Sequence, residues 1–137
     1  MDFGKAVLLY FATFGVFFVI DLIWLLVMNS RFYKVQLSEL MAEKVKWIPA
    51  ILFYLLFIVG VLLLVVLPAV DHGTWLSALL LGGLLGMISY GTYDLTNLAS
   101  IRNWPLKVSI VDIIWGTVLS AVVTTASFFI ALALTSD

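Results

Sequence analysis

The chain has no cysteine and a single histidine, and these two absences remove several classes of chemistry. Among 137 residues there is no Cys, and His72 is the one His. Without cysteine there is no disulfide, no thiolate metal site and no cysteine nucleophile. One histidine cannot build a histidine cluster, so haem, di-iron and zinc sites lack their usual ligands. We therefore predict no cofactor and no metal centre.

Charged residues are also scarce and nearly balanced. They make up 11% of the chain, with seven Lys and Arg against eight Asp and Glu. A nucleic-acid partner needs a basic surface, and this composition supplies none. We therefore predict no nucleic-acid binding.

Apolar residues are abundant, at 64% of the chain, against about 45–50% in soluble domains. Four apolar runs are each about as long as the ~20 residues that cross a bilayer core. We predict an all-α fold, an integral membrane four-helix antiparallel bundle in the lipid bilayer. Residues 1–137 form a single transmembrane domain in this interpretation, with spans at about 5–28, 47–70, 75–98 and 106–134.

The basic residues predict the orientation of the spans. Six of them fall in the first loop, residues 29–46, or around the third loop, and only Lys5 falls on the other side; the six are Arg31, Lys34, Lys44, Lys46, Arg102 and Lys107. Cytoplasmic loops carry the excess of Lys and Arg. We predict that loops one and three are cytoplasmic and that both termini face out.

The first loop has its own pattern. Apolar residues at Tyr33, Leu37, Leu40 and Met41, with charged residues between them, follow helical spacing. This predicts a short amphipathic helix along the membrane surface; the alternative is a partly ordered connector.

Three aspartates fall inside the predicted spans, namely Asp21, Asp94 and Asp112. An aspartate at mid-helix costs about 2.5–3.5 kcal/mol on insertion scales. At 1.5 Å per residue, each lies within roughly 10 Å of the cytoplasmic interface, so the three are predicted to form one layer.

Helical spacing places these acids on polar or small-residue faces, because residues three and four apart share a side. Asp94 shares a face with Tyr90, Tyr93 and Asn97, and Asp21 shares one with Tyr10, Phe14, Phe17 and Trp24. The polar face of the third span continues through Gly86, Gly82 and Ala78, and that of the fourth runs from Asp112 through Gly116, Ser120 and Thr124. Such small-residue spacing is typical of close helix packing.

The acids could simply accept hydrogen bonds that hold helices together near the membrane surface. Three at one depth favour a substrate or ion pathway instead, since intramembrane ionisable residues usually line one. Crowded carboxylates repel, so we expect at least one to hold a proton, or the group to share a proton or bind a cation.

The stretches "FVIDLIWL" and "YGTYDLTNLASIRNWPLKVSIVDIIWGTVLS" resemble an uncharacterised bacterial family of small four-helix inner-membrane proteins, known as a domain of unknown function. The resemblance covers nearly the whole chain and is densest over residues 90–120. It implies no activity, but it implies a set of family residues: Asp21, Tyr90, Gly91, Tyr93, Asp94, Asn97, Trp104, Pro105, Asp112, Trp115 and Gly116.

The first functional hypothesis is a transporter or channel-like protein for a proton, a cation or a small polar solute. Asp21, Asp94 and Asp112 would titrate, with Asn97 beside them. Aromatic walls would come from Tyr10, Trp24, Tyr90, Tyr93 and Trp115. Four helices leave a narrow cavity, so a homodimer could be needed for a complete pathway.

Two other functions remain open. The aspartates could serve a membrane-embedded enzyme, or its accessory subunit, acting on a lipid or isoprenoid, with Arg31, Arg102 and Lys107 near the headgroups. Against this, no single helix carries a DDxxD-like pair. The chain could also be a structural or assembly partner whose polar layer fixes helix register.

Overall fold

The computed structural model describes residues 1–42, 44 and 46–136. Within this part of the chain there are four helices that are long and apolar enough to cross a membrane, and there is no strand. They are α1 (Phe3–Gln36), α2 (Trp47–His72), α3 (Trp75–Ser100) and α4 (Leu106–Thr135). The predicted all-α membrane fold of four helices is confirmed.

Polar residues at the helix ends explain where two of the helices begin. The Asp2 carboxylate accepts a hydrogen bond from the Lys5 backbone N–H at 2.8 Å, which caps α1. Thr74 and Ser77 form a capping box at the start of α3, where each side chain accepts from the backbone N–H of the other residue. Such caps satisfy N–H groups that have no partner within the helix.

The first helix runs further than its apolar segment. It passes through one π-helical turn at Asn29–Tyr33 and continues to Gln36. The backbone N–H groups of Leu40 and Met41 then both donate to the Leu37 carbonyl, forming turns. The helical part of the first loop is thus an extension of α1 rather than a separate surface helix, because residues 29–36 contain no glycine or proline to end it. Glu43 and Val45, in the same predicted loop, lie outside the described residues.

The seam between α3 and α4 is made of small residues. A Cβ added at Gly82 would collide with the Thr124 side chain, and one added at Gly86 would collide with the Gly116 carbonyl and the Ser120 side chain. The Thr124 hydroxyl also donates to the Ala78 carbonyl across the seam at 2.8 Å. The two helices approach this closely because no side chain separates their backbones.

The end of the bundle near residues 73 and 74 is filled. Leu9, Thr13 and Phe17 of α1 are each at most 1% exposed. The Thr13 and Ser127 hydroxyls, on α1 and α4, are hydrogen-bonded to each other at 2.7 Å. The core there also contains Ile58, Val61, Val66, Leu119, Val123 and Ala131. This packing closes the half of the bundle away from the basic loops.

The outer faces of the helices are apolar. Leu26 of α1 and Ile48 and Leu56 of α2 are each more than 70% exposed. Exposed aliphatic side chains of this kind suit contact with lipid hydrocarbon, which supplies no hydrogen-bond partners. Among the described residues, the polar side chains that are buried between the helices are Thr13, Asp21, Asp94, Ser109, Ser120, Thr124 and Ser127.

Candidate functional site

A cavity of about 740 Å³ lies between the four helices at the end that carries residues 37–46 and 101–105, which we call the basic end. Asp21, Asp94 and Asp112 all line it. Its wall is largely aromatic and includes Trp24, Tyr33, Phe53, Tyr54, Tyr90, Tyr93, Trp104 and Trp115. Ligand sites in proteins have this size and this mixture of apolar wall and few polar groups.

Both carboxylate oxygens of Asp21 accept a hydrogen bond. The Tyr54 hydroxyl donates to its Oδ2 at 2.9 Å, and the Trp115 indole N–H donates to its Oδ1 at 3.0 Å. The residue is 7% exposed. Asp21 thereby ties α1 to both α2 and α4, which is the cross-linking role that a buried, hydrogen-bonded carboxylate can perform.

Asp112 accepts a hydrogen bond from a residue near the C-terminal end of α1. The Tyr33 hydroxyl donates to its Oδ1 at 2.9 Å, and Tyr33 in turn accepts the Trp24 indole N–H at 3.1 Å. The Trp24 ring stacks on Trp115, with centroids 4.2 Å apart and planes 5° from parallel. The environments of Asp21 and Asp112 are therefore joined through one pair of stacked indoles.

Asp94 differs from the other two acids. It is 0% exposed, and neither carboxylate oxygen has a hydrogen-bond partner among the described residues. The carboxyl group of Asp112 lines the same cavity, close enough for the charges of the two groups to interact. A buried carboxylate usually has a donor or a cation, so one proton or one positive group would satisfy this pair.

Little positive charge faces the cavity. Of the described residues that line it, only Lys46 is basic, and Lys46 is exposed. Arg31, Arg102 and Lys107 are exposed and do not line the cavity. All the hydrogen-bond donors to the three carboxyl groups in the described part of the chain are neutral phenols or indoles.

The π-helical turn explains how Tyr33 reaches the cavity. In a regular helix, residue 32 would lie on the face of Asp21, about three turns of 3.6 residues further along. A π turn holds one additional residue, which moves each following residue back by one position around the helix. Tyr33 therefore occupies the inward position and is 9% exposed.

The other predicted site residues lie in two groups. Tyr90 and Tyr93 line the cavity on α3, and the Tyr90 ring lies where a Cβ on Gly116 would be. Asn97 lies beside Tyr93, one turn further along α3, and is not part of the lining. Ala78, Gly82, Gly86, Gly116 and Ser120, predicted as packing residues, are all buried in the seam between α3 and α4.

Tyr10, predicted as part of the aromatic wall, lies elsewhere. Its hydroxyl donates to the Leu55 carbonyl of α2 at 2.8 Å, and it does not line the cavity. The residue holds α1 against α2.

The carboxyl groups do not converge on one point. No group of three His, Cys, Asp or Glu side chains among the described residues is placed to hold a metal ion. Asp21 is engaged by its own two donors, while Asp94 and Asp112 form a pair. The arrangement can therefore hold a shared proton or a singly charged cation at the pair.

Comparison with known proteins identifies the family. The sequence model of a family described as "Predicted membrane protein (DUF2177)" matches residues 6–129. The chain belongs to this family. The match contains the whole α3–α4 seam described above and all the residues that line the cavity. Searches of curated proteins and of solved structures gave no match.

The DUF2177 chain therefore is a membrane protein. Tyr33 and Tyr54 are among the cavity residues that the sequence did not predict. Tyr54 is the only side chain with a hydrogen-bonding group in residues 48–66, a signal that could have marked it as an inward-facing residue. The sequence pattern predicts Tyr33 on the apolar face of a surface helix, whereas the structure places it in the cavity lining. Trp104 also lines the cavity, and its indole N–H donates to the Ser109 hydroxyl, which donates to the Asp94 backbone carbonyl.

Proposed function

We propose that this protein is a transporter that binds a cation at Asp94 and Asp112 and exchanges it for a proton. The observation that carries the proposal is the Asp94 carboxylate, which is fully buried, has no hydrogen-bond donor among the described residues and shares the cavity with the carboxyl group of Asp112. Either a bound cation or a shared proton satisfies such a pair. The two can therefore alternate at one site, which is the basis of exchange.

The cavity favours transport over chemistry on a phosphate-containing lipid. A diphosphate or phospholipid headgroup is bound by Arg, Lys or a metal ion. The only basic residue in the described lining is Lys46, while three carboxyl groups face the same space. A cationic solute fits this charge distribution better than an anionic one.

The filled half of the bundle limits how a solute could cross. Among the described residues, the core around Thr13, Ser127 and Phe17 is buried, and Thr13 and Ser127 are hydrogen-bonded between α1 and α4. Passage in this proposal needs either a rearrangement of α1 against α4 or a second copy of the chain. Such opening and closing around a fixed site is the usual mode of secondary transporters.

Purified protein in proteoliposomes tests transport directly. We expect the wild-type protein to dissipate an imposed pH gradient when a suitable cation is present, measured with a trapped pH-sensitive dye. Asp112→Asn and Asp94→Asn should each reduce the cation-dependent rate at least about tenfold, because each removes one charge from the pair.

The matched control is Asp71→Asn, which makes the same change at an exposed residue near the other end of the bundle. Its rate should match the wild type within about twofold, since it lies far from the pair. The proposal is wrong if wild-type protein moves neither protons, metal cations nor amines under a pH gradient or a membrane potential.

We also propose that the membrane is the bacterial inner membrane and that the basic end faces the cytoplasm. The six basic residues at that end, against Lys5 at the other, support this orientation. Because the chain has no cysteine, single cysteines introduced at Ser38 and Thr74 can be labelled without background. An impermeant maleimide added to intact cells should label Thr74→Cys and spare Ser38→Cys; the reverse pattern would refute the orientation.

A further inference from the structure

The cavity is large enough for a small molecule rather than only a bare inorganic ion. Its volume of about 740 Å³ lies within the range of roughly 300–1,000 Å³ found for small-molecule sites. A metal cation would also need several oxygen ligands at once. The described residues place no three acidic or histidine groups suitably for that purpose. The cavity is suited to an organic cation, in which the charged group is attached to a larger uncharged part, here called its body.

The wall of the cavity indicates what that body is. Stacked Trp24 and Trp115 form one side, and Tyr54, Tyr90 and Trp104 contribute further rings. Aromatic faces attract cations through their negative π-electron density and also pack against apolar groups. Such a wall binds a molecule that is positively charged at one end and apolar over the rest.

The two carboxyl groups are placed for the charged end. Asp112 is partly exposed and receives one hydrogen bond, from Tyr33, while Asp94 is fully buried and has no donor in the described part of the chain. Asp21 is not available in the same way, because Tyr54 and Trp115 occupy both of its oxygens. A ligand would therefore contact Asp112 directly, with Asp94 adding a second negative charge.

We propose that the ligand of this cavity is an organic ammonium ion with an apolar, preferably aromatic, body. Its ammonium group lies at Asp112 and Asp94, and its body lies against the tryptophan and tyrosine rings. This inference rests on the proposed function, since it names the class of cation that the carboxyl pair binds. Asp21 serves as a positioning residue that fixes Trp115, and through the stack Trp24, in the wall.

Binding to the purified full chain in detergent tests the ligand class. The probes are benzyltrimethylammonium and phenethylammonium, with methylammonium as the cation without a body and benzyl alcohol as the body without a charge. Calorimetry gives affinity, and tryptophan fluorescence reports contact with the cavity, because Trp24, Trp104 and Trp115 line it. We expect the two aromatic ammonium ions to bind at least about tenfold more tightly than either partial analogue.

Three variants locate the binding. Asp112→Asn should weaken the aromatic ammonium ions at least about tenfold, and Asp71→Asn should leave them unchanged within about twofold. Lys46→Gln changes an exposed residue, so it keeps the test valid if the aspartate variant fails to fold. It should tighten binding about twofold to fivefold, because it removes a like charge from the cavity lining.

Equal affinity for benzyl alcohol and the aromatic ammonium ions would overturn the inference, as would a lack of saturable ammonium binding. Flux of protons or metal cations that depends on Asp94, without ammonium binding, would overturn the ligand class and leave the proposed transport standing. Ammonium binding that depends on Asp112, without any flux, would support the ligand class and overturn the proposed transport.

A lipid headgroup is a second source of the same chemistry, since phosphatidylethanolamine also carries an organic ammonium group. The two sources can be separated in nanodiscs of phosphatidylglycerol with and without phosphatidylethanolamine. If the lipid occupies the site, its presence should weaken phenethylammonium binding at least about fivefold. Unchanged affinity in both nanodiscs would assign the site to a free amine; both results support an ammonium site.

Discussion

Replacing Asp21 by asparagine is expected to destabilise the protein, whereas the same replacement at Asp94 should leave its stability unchanged or raise it. The two carboxylate oxygens of Asp21 accept hydrogen bonds from the Tyr54 hydroxyl and the Trp115 indole N–H. Asparagine would replace one of these oxygens by an NH₂ group, which is itself a donor and cannot accept the hydrogen bond. The expected loss is about 1–3 kcal/mol in the free energy of unfolding. Asp94 has no donor to lose among the described residues, and an amide there can donate to Asp112 while removing a like charge.

Thermal unfolding in detergent, followed by tryptophan fluorescence, measures both variants side by side. Asp71→Asn again serves as the reference for an exposed aspartate. If Asp94→Asn lost as much stability as Asp21→Asn, Asp94 would be a structural cross-link like Asp21. The interpretation of Asp94 as a binding residue would then fail, and so would the division of the three acids into two roles.

A methyl group added in the α3–α4 seam is expected to lower the stability of the protein, whereas one added in open space should leave it unchanged or raise it. A Cβ at Gly86 would collide with the Gly116 carbonyl and the Ser120 side chain, and the first of these is backbone. The helices would have to separate, so Gly86→Ala should lower the free energy of unfolding by about 1–3 kcal/mol. It should also reduce ligand binding, since the seam positions Asp94 and Asp112.

Gly60→Ala provides the matched control, because a Cβ at Gly60 of α2 has nothing within 4 Å. Removing this glycine from a helix should leave stability unchanged or raise it by up to about 1 kcal/mol. Yield of monodisperse protein and thermal unfolding of both variants supply the measurement. Equal behaviour of the two alanine variants would show that close approach of α3 and α4 is not a condition of folding.

The sequence alone determined the membrane fold. Apolar runs of sufficient length predicted four helices because a bilayer core has a definite thickness, and the four helices are present. The sequence alone also pointed to Asp21, Asp94 and Asp112, because each is an expensive residue within an apolar run. Helical spacing indicated that Gly82 and Gly86 share one face of their helix, since that spacing depends only on the local backbone.

The tertiary structure alone decided which acid has which partners. The donors to Asp21 come from α2 and α4, and spacing within one helix carries no information about which faces of other helices oppose it. The donor to Asp112 comes from α1 through a π turn, which shifts the register that a period of 3.6 residues assumes. The same packing gives Asp94 no donor from the part of the chain that the structure describes. Hydrogen bonding in a bundle depends on contacts between distant segments, and those contacts exist only once the helices have packed.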